Sequence, residues 1–167
     1  MATKKSTWIT ALDATPRTTP LTGGVAGGGV MAVQQKIEVA VADAAADIYR
    51  FFRLPWNAVI LSLAYCCDAL GTATFDWGTY AIDGGAVNDA DEFASAVAGT
   101  ATANWTEILG EANAASESLA DRAEMQLWQV MDVATEPVGT MYDICATAVG
   151  EPDTAGTLAA RILYTVG

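Results

Sequence analysis

The sequence predicts an all-β fold: a jelly-roll-like antiparallel β-sandwich with one or two short helices and a flexible N-terminal arm. Three observations point there. Short runs alternate apolar and polar side chains with a period of two, and clusters of Gly, Pro, Asn and Asp separate them at regular intervals. Neither a sustained 3.6-residue periodicity nor a strand-helix-strand alternation is present, which leaves a sandwich or jelly roll as the architecture.

Taken in chain order, residues 1–32 carry Thr15-Pro16 and Thr19-Pro20 and then five glycines within residues 22–30. Glycine at that density holds neither helix nor strand well. Residues 1–32 are therefore expected to be an arm that orders only against a partner, and residues 33–167 a single sandwich domain. The GGVAGGG stretch lacks the spacing of a dinucleotide-binding turn and the Lys-Ser/Thr of a phosphate loop.

In residues 36–41, Ile37, Val39 and Val41 share a face opposite Lys36, Glu38 and Ala40, the pattern of a half-buried strand. Residues 42–46 are an alanine-rich link. Residues 47–54 hold Ile48, Tyr49, Phe51, Phe52 and Leu54 and stop at Pro55. Residues 58–68 set Val59, Leu61, Leu63, Tyr65 and Cys67 against Ile60, Ser62, Ala64, Cys66 and Asp68; both faces are largely apolar, so this strand should be central.

Leu70-Gly71 reads as a hairpin connection to a strand over residues 72–82, where Phe75, Trp77 and Thr79 share one side. Asp83-Gly84-Gly85 ends that strand. Residues 88–96 read as a short helical turn, with Asn88 or Asp89 as its cap and acids in its first turn. Residues 97–121 carry no clear pattern, and 104–108 suit helix or loop equally. A strand is expected over 125–133, a turn over 135–139, and strands over 140–149 and 157–166, the last with Leu158, Ala160, Ile162, Tyr164 and Val166 on one face.

Composition restricts function. At 167 residues a single domain is the default. The 8 basic side chains against 20 acidic ones give a formal charge of −12, and the basic residues are scattered, so no nucleic-acid grip is expected. Without histidine the chain lacks the commonest general base and transition-metal ligand. Neither enzymatic activity nor a cofactor is expected.

Cys66, Cys67 and Cys145 cannot make a disulfide framework and read as small buried apolar residues. The longest apolar stretch, residues 58–67, is about half a membrane span. The N-terminus lacks the apolar core of a signal peptide, so synthesis in a cytoplasm is the simpler reading.

Few side chains invite a site. Asp83, Asn88, Asp89, Asp91 and Glu92 fall close together, as calcium ligands would, but without an EF-hand's order; capping and a solvated loop account for them better. Trp77 and Trp128 lie in expected strands and read as packing, whereas Trp56 and Trp105 are candidates for a surface contact. Trp8 sits in the arm, away from any core of its own. Trp8, Arg17, Val25 and Val30 are the residues expected to dock the arm on a partner.

The run YRFFRLPWNAVILSLAYCCDALGTATFDWGTYAIDGGAVNDADEFASA resembles small structural proteins of tailed bacteriophages. The shared pattern is an arginine/aromatic strand, then LP-x-NA-x-I, DALG, T-x-D-x-G-x-Y and DADxFASA. The C-terminal MYDICATAVGEPDTAGTLAARILYTVG is similar to the matching end of those proteins, and together the two stretches cover roughly half the chain.

In physical terms Pro55 and Asn57 make a turn, Asp76 and Gly78 lie opposite Phe75 and Trp77, and Phe93 packs the short helix. The resemblance implies a β-sandwich that decorates a capsid, a cement or minor head protein. It would bind the major capsid protein on the capsid exterior, assemble as a homotrimer and bridge neighbouring shell subunits. Other virion positions (tail, collar, fibre-associated or shell) and a carbohydrate-binding sandwich are the alternatives.

Overall fold

The computed structural model describes residues 3–6, 9, 10, 13, 29–102, 104–109, 125–131 and 133–166. The elements with defined bounds among these residues are β1 (Thr3–Lys5), β2 (Met31–Val39), β3 (Ile48–Pro55), β4 (Ala58–Cys67), β5 (Thr74–Ala81), β6 (Val87–Ala98), β7 (Thr106–Glu107), the short helix α1 (Leu127–Val130), β8 (Met141–Ala148) and β9 (Gly156–Val166). They form two sheets, with strand orders β1-β3-β8-β5-β6 and β2-β9-β4-β7.

Without β1, each sheet has four strands and every pairing is antiparallel. The chain crosses between the sheets at nearly every connection. This is the double-sheet wiring of a jelly roll, the expected fold class.

Between the sheets lies one apolar core. Phe51 stacks on Trp77 with ring centroids 5.3 Å apart, Tyr65 approaches the same indole at 6.2 Å, and Tyr49 meets Phe75 edge-on at 5.8 Å. From the facing sheet come Ile37, Leu63, Leu158, Ala160, Ile162 and Tyr164, all buried. The alternation read in β9 therefore marks a real inward face.

Alternation fails where a strand bulges. In β3 the pairing with β8 skips Phe51, so Tyr49, Phe51, Phe52 and Leu54 all reach the core while Arg50 and Arg53 turn to the other face. In β4 the register with β9 skips Leu61, which is left 45 % exposed on the outer face, and the inward set becomes Ala58, Ile60, Leu63, Tyr65 and Cys67.

Several sequence expectations are corrected. Residues 88–96 are not a helical turn: they belong to β6, an edge strand whose register against β5 shifts three times. Acids and alanines suit such an edge because its outer row faces water. Residues 125–133 are not a strand; α1 occupies Leu127–Val130, with the Gln126 and Gln129 side chains reciprocally capping its first turn.

Leu70-Gly71 does not close a hairpin, since β4 and β5 lie in different sheets; Gly71, at φ +72°, turns the chain from one sheet to the other. The true hairpin joins β5 to β6. Asp83 (φ 59°) and Gly84 (φ 78°) occupy its tip, and the Gly85 amide donates to the Ile82 carbonyl at 3.0 Å.

At the other end of the chain, β1 pairs in parallel with β3, the Ser6 hydroxyl donates to the Phe51 carbonyl at 2.6 Å, and Ile9 is fully buried. These residues of the expected arm are packed on the sandwich. Residues 14–28, with Arg17 and Val25 among them, and Trp8 lie outside the described residues.

Candidate functional site

Each sheet has an outer face, and the two are built differently. On the five-stranded sheet the outer face is covered and charged. Arg50, Arg53 and Asp143 are buried there, with side-chain exposures of 1 %, 7 % and 0 %.

Asp143 Oδ2 accepts from Arg50 Nη1 at 2.9 Å and Arg53 Nη2 at 3.0 Å, and its Oδ1 accepts from Arg53 Nε at 2.7 Å. Arg50 also donates to the Ala81 and Gly85 carbonyls, at 2.7 and 3.0 Å, and so ties the β5–β6 hairpin to β3. Its guanidinium lies 5.3 Å from the centre of the Tyr80 ring.

The N-terminal segment completes this cluster. Asp13 accepts from Arg53 Nη1 at 2.7 Å and from Lys5 Nζ at 2.5 Å. Burial would raise the Asp13 carboxyl, but the hydrogen bonds from Lys5 and Arg53 and the Arg53 charge hold it below the ordinary aspartate range.

A second clasp lies beside it. Asp43 accepts from Lys4 Nζ (2.6 Å), the Ala40 amide (2.8 Å) and the Tyr49 hydroxyl (3.0 Å). Burial again raises the carboxyl, and these three donors with the Lys4 charge bring it below the ordinary range. These groups hold the fold. The charges of Arg50 and Arg53 inside an aromatic run, and of Asp143 in an alternating strand, were the available sequence signals; nothing local paired them, because their partners lie about ninety residues away.

The outer face of the four-stranded sheet is open. Its rows follow from the register: Ala32, Leu163 and Ser62 in one, then Gln34, Arg161, Ala64 and Glu107, then Lys36, Ala159 and Cys66. Val30, 60 % exposed, continues the β2 alternation beyond Ala32, and Leu61 stands out on its bulge.

Trp105 flanks β7 and packs its ring against Arg161, guanidinium to centroid 5.0 Å. Glu107 shares the Arg161 row but is engaged elsewhere: its oxygens accept from the Ser62 hydroxyl (2.5 Å) and the Leu63 amide (2.7 Å). Val30 and Trp105, two of the sequence candidates, therefore fall on one face. Trp56 does not join them. It is half-buried against the core, its amide donating to the Thr140 carbonyl and its carbonyl accepting from the Trp128 amide.

The acids of 83–92 lie along the β5–β6 hairpin, where Asp83 reaches Arg53 at 3.4 Å and Glu92 is buried. No cluster of metal-ligating side chains is found among the described residues, and no described helix is long and apolar enough to cross a membrane. Burial pushes all three thiols up, Cys67 to about 11 and Cys145 well above the ordinary range.

The fold and its two faces define a jelly-roll module with one closed, charge-locked face and one open face. The same fold occurs in a chain from the capsid of Ralstonia phage GP4, with a TM-score of 0.61 and 21 % identity over 99 % of each chain. A chain from the capsid asymmetric unit of cyanophage Pam1 is similar at a TM-score of 0.52 and 18 % identity, over 93 % of this chain and 97 % of that one. No family model and no curated protein sequence matches the chain.

Proposed function

We propose that this chain is a structural protein of a tailed-bacteriophage virion. It decorates the exterior of the icosahedral head, binds the major capsid protein as a homotrimer and bridges neighbouring shell subunits. The observation that carries the reading is the end-to-end likeness to the GP4 capsid chain, in which both chains are covered over 99 % of their length. The likeness therefore extends over the whole sandwich and is not confined to a few shared strands.

The sequence motifs shared with phage decoration proteins point the same way. So does the charge of −12, which suits the outside of a shell better than its DNA-filled inside. Many copies on one shell supply avidity that a single contact lacks. The sugar-binding alternative has no support in the placement of the aromatics, because Trp56 packs inward and Trp105 is capped by Arg161.

The test is co-sedimentation with emptied heads of the phage that carries the gene, followed by imaging of decorated particles. Saturable binding in a stoichiometry divisible by three is expected. Binding to isolated tails but not to heads assigns the chain to another virion position, and binding to neither overturns the proposal. Trp8→Ala, Arg17→Glu and Val25→Asp test the arm: if none weakens binding, the arm does not dock.

A further inference from the structure

We propose that the open face of the four-stranded sheet is the surface that seats on the shell subunit, and that the subunit presents a carboxylate to Arg161 within an apolar surround. The inference rests on the virion reading and adds the contact surface to it.

Charge accounting singles out Arg161. Lys4, Lys5, Lys36, Arg50 and Arg53 each have a carboxylate partner within the salt-bridge distance. Arg161 is the one described cation with none, in a chain where acids outnumber bases 20 to 8. Its Nε is shielded from solvent and has no hydrogen-bond partner. Such a group costs stability unless something supplies an acceptor.

The nearest carboxylate in its row does not do so, because Ser62 and Leu63 already hold Glu107. Meanwhile the Trp105 ring fixes the guanidinium on the sheet. An arginine held against a tryptophan loses little side-chain freedom on binding, and both residue types are enriched among interface anchors.

One side of the Arg161 row is largely apolar, while Gln34 and Glu107 share the row itself. Leu61 and Val30, 45 % and 60 % exposed, are two of the large hydrophobic side chains the fold leaves to solvent, and with Ala32 and Leu163 they flank the Arg161 row on one side. A rigid cation beside an apolar strip asks for a protein surface carrying an acid among apolar side chains. A second copy meeting this face with the same face fits less well, because that contact brings Arg161 towards Arg161.

The experiment compares wild type, Arg161→Met, Leu61→Asp and Val138→Asp for binding to emptied heads, with oligomeric state and melting temperature measured on each. Arg161→Met removes the charge and leaves an unbranched apolar side chain beside Trp105. It and Leu61→Asp are expected to weaken head binding at least about tenfold with oligomeric state and melting unchanged. Val138→Asp, exposed on the turn before β8 and outside this sheet, should bind as wild type.

If wild type binds and both face variants bind equally well, the surface assignment is wrong and the virion reading stands. If the variants change oligomeric state instead, the face joins copies of this chain and the proposal is overturned. If wild type binds no heads, the virion reading fails first and this inference with it.

Discussion

Asp143 holds together a part of the molecule that no other carboxylate could replace. It is fully buried and receives three hydrogen bonds from two arginines that are themselves at most 7 % exposed. Desolvating three ionised groups is costly, and the arrangement persists because each charge has a partner in good geometry. Removing the acid strands the buried Arg50 charge and leaves Arg53 with only Asp13 and Asp83. Asp143→Ala should lower unfolding free energy by about 3–5 kcal/mol, read from urea denaturation at constant slope. Replacing the triad together (Arg50→Met, Arg53→Met, Asp143→Leu) should recover most of that loss. A single-variant cost below about 1 kcal/mol would show that water reaches the cluster.

At the scale of elements, legibility followed what a short window can contain. β8 and β9 were readable because no bulge interrupts either; β9 buries one alternating set of side chains, and β8 is buried on both faces. The bulges at Phe51 and Leu61 were not, since a bulge changes which face a residue takes without changing the residues. β6 was misread because Asn88, Asp89 and Asp91 are good caps, and the pairing with β5 that overrides them is tertiary. On the outer face of the four-stranded sheet the sequence picked out Trp105, as a surface contact, and Val30, as an arm residue; it did not pick out Arg161, because an unpaired cation is recognised only once the other pairs are known.

The N-terminal segment carries its own prediction. Asp43 holds Lys4, Asp13 joins Lys5 to Arg53, and both carboxyls sit below their ordinary value in the folded chain. A lowered folded value means the stabilisation is complete above the free-aspartate value of about 4 and is lost as pH falls through the folded values. The segment should therefore loosen below about pH 4 while the sandwich persists. The readout is the Ser6 amide, which donates to the Arg50 carbonyl at 2.7 Å: its hydrogen-exchange protection should fall between pH 5 and pH 3 relative to an amide of β9. Equal losses at both sites would mean that the segment and the sandwich open as one unit.

For the whole molecule the governing quantity is the imbalance of charge. The ion pairs that hold the fold are largely buried, whereas the one fully surface pair among the described residues, Lys36 with Glu38 at 4.0 Å, contributes little. Most of the excess acid therefore acts as self-repulsion, which opposes a compact state and also opposes bringing copies together. Salt separates the two populations of charge: going from about 0.01 M to 0.15 M shortens the screening length from about 30 to about 8 Å, which weakens repulsion across the surface but hardly touches the Arg50–Asp143–Arg53 cluster. Melting temperature should accordingly rise by a few degrees over that range, and self-association should strengthen. A fall in melting temperature would place the dominant electrostatics in exposed attractive pairs, and the account of the −12 charge as net repulsion would have to be abandoned.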